Sequence, residues 1–150
     1  MNMLAVAVEH YLQSQEWHYK FEEERNLFTM TMGLKKIDSS KIYIRIGEDY
    51  VTTYAMLPTH VREDKRDVVC RYITRANYGL RNGNFELDYS DGEIRYKVFV
   101  DCEDLLPSAA VLRDAVIIPV DMFDRYGNGL LSVVLGVRTP EEAIQDAEKD

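Results

Sequence analysis

The sequence predicts an α+β fold, in the order α-β-β-β-β-α-β-β-α, with an antiparallel sheet and the helices on one face. Three observations carry this. Four consecutive segments between Trp17 and Leu57 alternate apolar and polar residues, with short polar turns between them. A helical pattern runs into Tyr78–Asp101, stops at Asn82-Gly83 and becomes two alternating runs around Asp91-Gly92. Helices and hairpins are segregated along the chain, which favours an antiparallel sheet over βαβ units.

Leu4, Val8, Tyr11 and Leu12 fall at helical spacing, so residues 2–15 read as a short amphipathic helix. Trp17, Tyr19 and Phe21 then alternate at strand spacing, and Glu22 to Asn26 is a polar turn. Phe28, Met30, Met32 and Leu34 mark a second strand, and Asp38-Ser39-Ser40 the next turn. Ile42, Ile44 and Ile46 form the cleanest alternation in the chain. Gly47-Glu48-Asp49 turns it into a fourth strand over 50–57, rich in β-branched and aromatic residues.

Pro58 ends the meander, and Thr59 is an expected N-cap for a second helix. Val69, Tyr72, Ile73, Ala76 and Leu80 make its core stripe, and Gly83 suits its C-terminal cap. Phe85, Leu87 and Tyr89, then Ile94, Tyr96, Val98 and Val100, are the two hairpin strands. Pro107-Ser108 opens a third helix, in which Pro119 is expected to produce a kink or a split. Gly127 and Gly129 mark either a further break or close helix packing, and Gly136 an end. Thr139-Pro140-Glu141-Glu142 has the N-cap, first-turn proline and acids of a helix start. The expected organisation is a single domain over 1–137, followed by a short acidic C-terminal helix or tail over 138–150.

The hydrophobic fraction of 46% and charged fraction of 29%, with 4 prolines and 8 glycines, are those of a globular chain rather than a disordered one. The net charge of −8 repels phosphate backbones, so no nucleic-acid partner is expected. Half of that charge lies in residues 140–150, where five acids face Lys149 alone. Cys70 and Cys102 form no metal or redox motif and read as reduced thiols, which fits a cytoplasmic protein. The apolar run at the N-terminus stops at Glu9-His10, too short for a signal sequence or a membrane span.

No catalytic, metal or cofactor set emerges. His10, His18 and His60 form no HxxxH or HxxE pair, and each lies near an element end. A calcium loop counted from Asp88 would need glycine at its sixth position and glutamate at its twelfth. The chain has Glu93 and Phe99 there, and hairpin chemistry accounts for the acids. No serine lies in a GxSxG elbow, and no GxGxxG or P-loop occurs. The second helix is basic, with Arg62, Lys65, Arg66, Arg71, Arg75 and Arg81 against three acids. It reads either as a patch for an acidic partner or, more simply, as a solvated face with local ion pairs. The remaining feature is a strand face carrying Tyr43, Tyr50, Tyr54 and Phe99, shared with Thr29, Thr31, Arg45, Arg95 and Lys97. If helices cover only the opposite side, Tyr43, Tyr54 and Phe99 are candidates for a protein interface. The alternative is that the same face is covered within the monomer.

A family resemblance adds to this. An amphipathic helix with Asn77 near its end, then Gly83-Asn84-Phe85-Glu86-Leu87-Asp88, the Asp91-Gly92 turn and Glu93-Ile94-Arg95-Tyr96, resembles the YbjN-type bacterial family of candidate sensory-transduction regulators. Gly136 to Ala143 (GVRTPEEA) resembles the C-terminal end of that family, and the order of elements matches over nearly the whole chain. The resemblance implies a fold like that of type III secretion chaperones, a twisted antiparallel sheet with helices against it, and extends to a homodimer. It supplies no catalytic residues. Asn77, Gly83 and Gly92 match positions with backbone or capping roles. The expected function is therefore a non-enzymatic cytosolic interaction protein, a regulator or chaperone-like binder of protein partners, with no membrane partner. The alternative is a small-ligand module with its site between the sheet and the third helix, where Pro119 and the two glycines leave room.

Overall fold

The computed structural model describes residues 1–37 and 39–149. Helix α1 (Met3–Ser14) is capped by Asn2, whose Oδ1 accepts from the Ala5 amide at 2.8 Å. It buries Leu4, Val8, Tyr11 and Leu12, the stripe that helical spacing predicts. Strands β1 (Lys20–Glu22), β2 (Leu27–Gly33), β3 (Ser39–Ile46) and β4 (Tyr50–Met56) form the expected antiparallel meander. Strands β5 (Asn84–Leu87) and β6 (Ile94–Asp101) complete a six-stranded antiparallel sheet in the order β1-β2-β3-β4-β6-β5. Helices α2 (Arg66–Asn77), α3 (Ala109–Val134) and α4 (Pro140–Ala147) join α1 on one face of it. The fold is α+β, as the sequence predicts.

The core lies between that face and the helices. Phe28, Ile42, Ile44, Val51, Ala55, Tyr96 and Val98 point inward from the sheet and are almost fully buried. Val8, Leu12, Val69, Tyr72 and Phe123 meet them from the helices. Each such aliphatic or Phe side chain contributes roughly 1.5–3 kcal/mol when withdrawn from water.

Several local expectations are corrected. The alternation of Trp17 and Tyr19 is not that of a strand, because pairing starts only at Lys20. These two rings pack toward α1 instead: Trp17 lies edge-on to Tyr11 at 5.9 Å, and the Tyr19 hydroxyl donates to Glu9 at 2.8 Å. Ser39 and Ser40 belong to β3 rather than to a turn, and Asp38 lies outside the described residues. Thr59 does not cap α2. The Val61 amide bonds Gly92 at 2.8 Å, which holds this segment extended, so the helix begins only after a 3-10 turn at Glu63–Lys65. Gly83 does not cap it either. The helix ends at Asn77, and Gly83, with φ of 79°, enters β5 pressed against the Lys97 backbone and the Tyr96 ring. Tyr89 leaves the strand pattern because the β5–β6 turn is longer than two residues. The Gly92 amide bonds the Asp88 carbonyl at 2.7 Å, and the Asp88 amide bonds Glu93 at 2.9 Å.

Pro119 does not split α3, which runs unbroken over 26 residues. Gly127 and Gly129 do not break it. Both are buried contact points, Gly127 beneath the Ile37 side chain and Gly129 beneath the Tyr72 ring. A Schellman closure follows at Gly136, where Val137 N donates to Ser132 O at 2.9 Å and Gly136 N to Val133 O at 3.1 Å. Helix α4 has the full capping box between Thr139 and Glu142, and it buries Ala143 and Ile144 against α2 and α3.

Candidate protein-interaction face

Strand register decides which side chains share the outer face. Lys20, Thr29, Tyr43, Tyr54, Lys97 and Asn84 are opposed residue by residue across all six strands. One row along, Arg45, Thr52 and Phe99 are opposed, and in the other direction Thr31, Lys41, Met56, Arg95 and Glu86. The three sequence candidates therefore converge. Tyr43 and Tyr54 are direct cross-strand partners, and Phe99 lies diagonally from Tyr54. The helices pack on the other face; on this one Phe99 is exposed and Tyr43 and Tyr54 are half-buried, while Leu27 and Thr52 in the neighbouring row are buried.

The face is ordered by its own chemistry. Phe99 is 59% exposed and stacks on Tyr50, with ring centroids 5.7 Å apart. The Arg95 guanidinium lies 4.3 Å over the Tyr54 ring, and the Lys41 ammonium lies 5.4 Å from that of Tyr43. Glu86, which sequence reasoning passed over, clamps the β6 cations, accepting from Arg95 Nε at 2.8 Å and Lys97 Nζ at 3.1 Å. Partial burial pushes its carboxyl up, but the hydrogen bonds from Lys97 and Arg95 outweigh that and hold it below the usual range. Lys20, Lys41 and Arg45 have no carboxylate partner within salt-bridge distance among the described residues. The result is a surface rich in cations and aromatic rings on an acidic protein.

Away from this face, His60, Asp91 and Glu93 place ligand-type atoms within 4.8 Å of one another, a grouping their spacing in the chain conceals. The exposed imidazole is engaged locally, with Nδ1 3.1 Å from the Asp91 carbonyl oxygen and 3.8 Å from its Oδ2. Between the sheet and α3 a void beside Tyr72, Phe85, Phe123 and Gly127 measures about 10 Å³, the room of a single water. Tyr72 fills the space beside Gly129, and its hydroxyl donates to the Tyr126 carbonyl at 2.6 Å. No described helix is long and apolar enough to cross a membrane.

No protein-family model matches the sequence, and no curated protein is significantly similar to it. A solved structure does match: that of YbjN from E. coli, described as a candidate transcription regulator. The two chains are 12% identical, the match covers 88% of this chain and 89% of that one, and the TM-score is 0.59. This chain has the fold of YbjN.

Proposed function

We propose that the protein is a non-enzymatic, regulator-like or chaperone-like binder that takes a protein partner in the cytoplasm on the outer face of its sheet. The observation carrying this is the uncovered row Lys20-Thr29-Tyr43-Tyr54-Lys97 with Phe99 beside it. Half-exposed aromatics ringed by cations are the composition of a binding hot spot, and ordering them beforehand lowers the entropy cost of association. The regulator description of YbjN supports the same class of role. A homodimer through this face is the second form of the proposal. Cations repeated on both copies would oppose it, so an acidic partner fits better.

The test is affinity capture from native cytosol with the intact chain and with Tyr43→Ala/Tyr54→Ala. The partner should be retained by the first and lost by the second, while circular dichroism stays unchanged. Light scattering on the same samples separates a second copy from a different partner. Retention of the partner by the folded double variant would overturn the proposal.

A further inference from the structure

The helical side of the molecule carries a second feature, independent of the sheet face. Between α3 and α4 lies an open groove of about 500 Å³. Gly129 from α3 and Ala143 and Ala147 from α4 line it. Its rim is cationic: Lys36 from the β2–β3 connection, Arg125 from α3, Arg138 from the α3–α4 connection and Lys149 from the end of α4. One carboxylate, Asp146, lines it.

Four cations on four segments converge on this groove in a chain of net charge −8. The α4 macrodipole accounts for two of them, since a helix C-terminus favours Lys149 and Arg125. Arg125 Nε donates to the Ala147 carbonyl at 3.2 Å, which orients the guanidinium without neutralising it. The dipole does not account for Lys36, which comes from the sheet side, or for Arg138, which precedes the α4 N-terminus. Arg138 pairs with Asp146. Lys36 and Lys149 have no carboxylate partner within salt-bridge distance among the described residues. Four cations against the single carboxylate of Asp146 leave the cleft with an excess of positive charge, and a cleft of that charge concentrates anions. The volume falls within the ordinary range of small-molecule sites.

We propose that the α3–α4 groove binds a small anion with adjacent phosphate groups, a diphosphate, either free or carried on a nucleoside. One phosphate faces Arg125 and Lys149, and the other faces Lys36 and Arg138. Arginine supplies the planar fork for phosphate oxygens and lysine the point charge. The groove lies away from Tyr43, Tyr54 and Phe99, so the proposal stands or falls separately from the sheet-face reading.

The test is calorimetric titration of the intact chain with inorganic pyrophosphate and with ADP, using sodium sulfate as control. Saturable binding of pyrophosphate is expected, weakened about tenfold or more by Arg125→Gln and by Lys36→Gln. Tighter binding of ADP than of pyrophosphate assigns the nucleoside form, and equal binding assigns the free anion. Lys36 is exposed, so Lys36→Gln keeps the test informative if Arg125→Gln disturbs the α4 end. The proposal is overturned if no saturable binding occurs up to about 5 mM, a limit corresponding to millimolar affinity. It is equally overturned if sulfate binds as well as pyrophosphate, or if neither substitution weakens the binding.

Discussion

The side-chain amide of Asn77 bonds both backbone groups of Phe85, with Nδ2 donating to the carbonyl at 3.0 Å and Oδ1 accepting from the amide at 2.8 Å. Asn77 is the last residue of α2, and β5 is an edge strand. One side chain thus ends a helix, closes a sheet edge to further pairing and fixes the Phe85 ring against Tyr96, Phe123 and Tyr126. Asn77→Ala leaves a donor and an acceptor without partners and is expected to cost about 2–3 kcal/mol in urea unfolding. A loss below about 0.5 kcal/mol would mean that water replaces the amide freely.

Gly129 separates two explanations of a helical glycine. On propensity alone, Gly129→Ala should stabilise α3 by about 1 kcal/mol. The added methyl would instead meet the Tyr72 ring, with Cζ only 2.9 Å away. Destabilisation of about 1–3 kcal/mol is expected. In a double-mutant cycle with Tyr72→Phe the two losses should be less than additive, because the phenol oxygen is the nearest obstacle.

Glu86 makes part of the stability pH-dependent. Its carboxyl is held below the ordinary value of about 4.3, so its ionised form favours the folded state. That contribution is complete above the unfolded value and is lost as pH falls through the lower folded one. Urea midpoints of the native chain should therefore drop as the pH goes from about 5 toward 3. Glu86→Gln should flatten that part of the curve. An identical acid limb in both would assign the loss to other carboxylates.

Tyr43 and Tyr54 should be dispensable for folding. They are half-buried and face outward, whereas Phe28, on the inner face, is fully buried. Tyr43→Ala/Tyr54→Ala is expected to lose less than about 2 kcal/mol, against about 3–5 for Phe28→Ala. Cooperative urea unfolding of each variant checks the contrast. Equal losses would make the outer tyrosines part of the core.

Elements built from local contacts were legible in the sequence. The α1 stripe, the Ile42–Ile46 alternation and the Thr139–Glu142 capping box all depend on neighbours a few residues apart. Where a distant partner decides, the local pattern misleads. Thr59 looks like a cap until Val61 pairs with Gly92, 31 residues on. Gly127 and Gly129 have the look of breakers until Ile37 and Tyr72 occupy the space above them. The outer-face residues could be grouped by alternation, but which face the helices cover is a tertiary outcome. The clamp of Glu86 on Arg95 and Lys97 follows from register, and the cations of the α3–α4 groove are too dispersed in the chain to be read as a set.

The sheet face can be tested directly by placing a photo-crosslinking phenylalanine analogue at Phe99 in cells, with the same analogue at the exposed Leu135 on the helical side as control. Irradiation should produce a discrete covalent adduct from position 99 and none from position 135. Adducts from position 135 alone would place the partner on the helices and contradict the account.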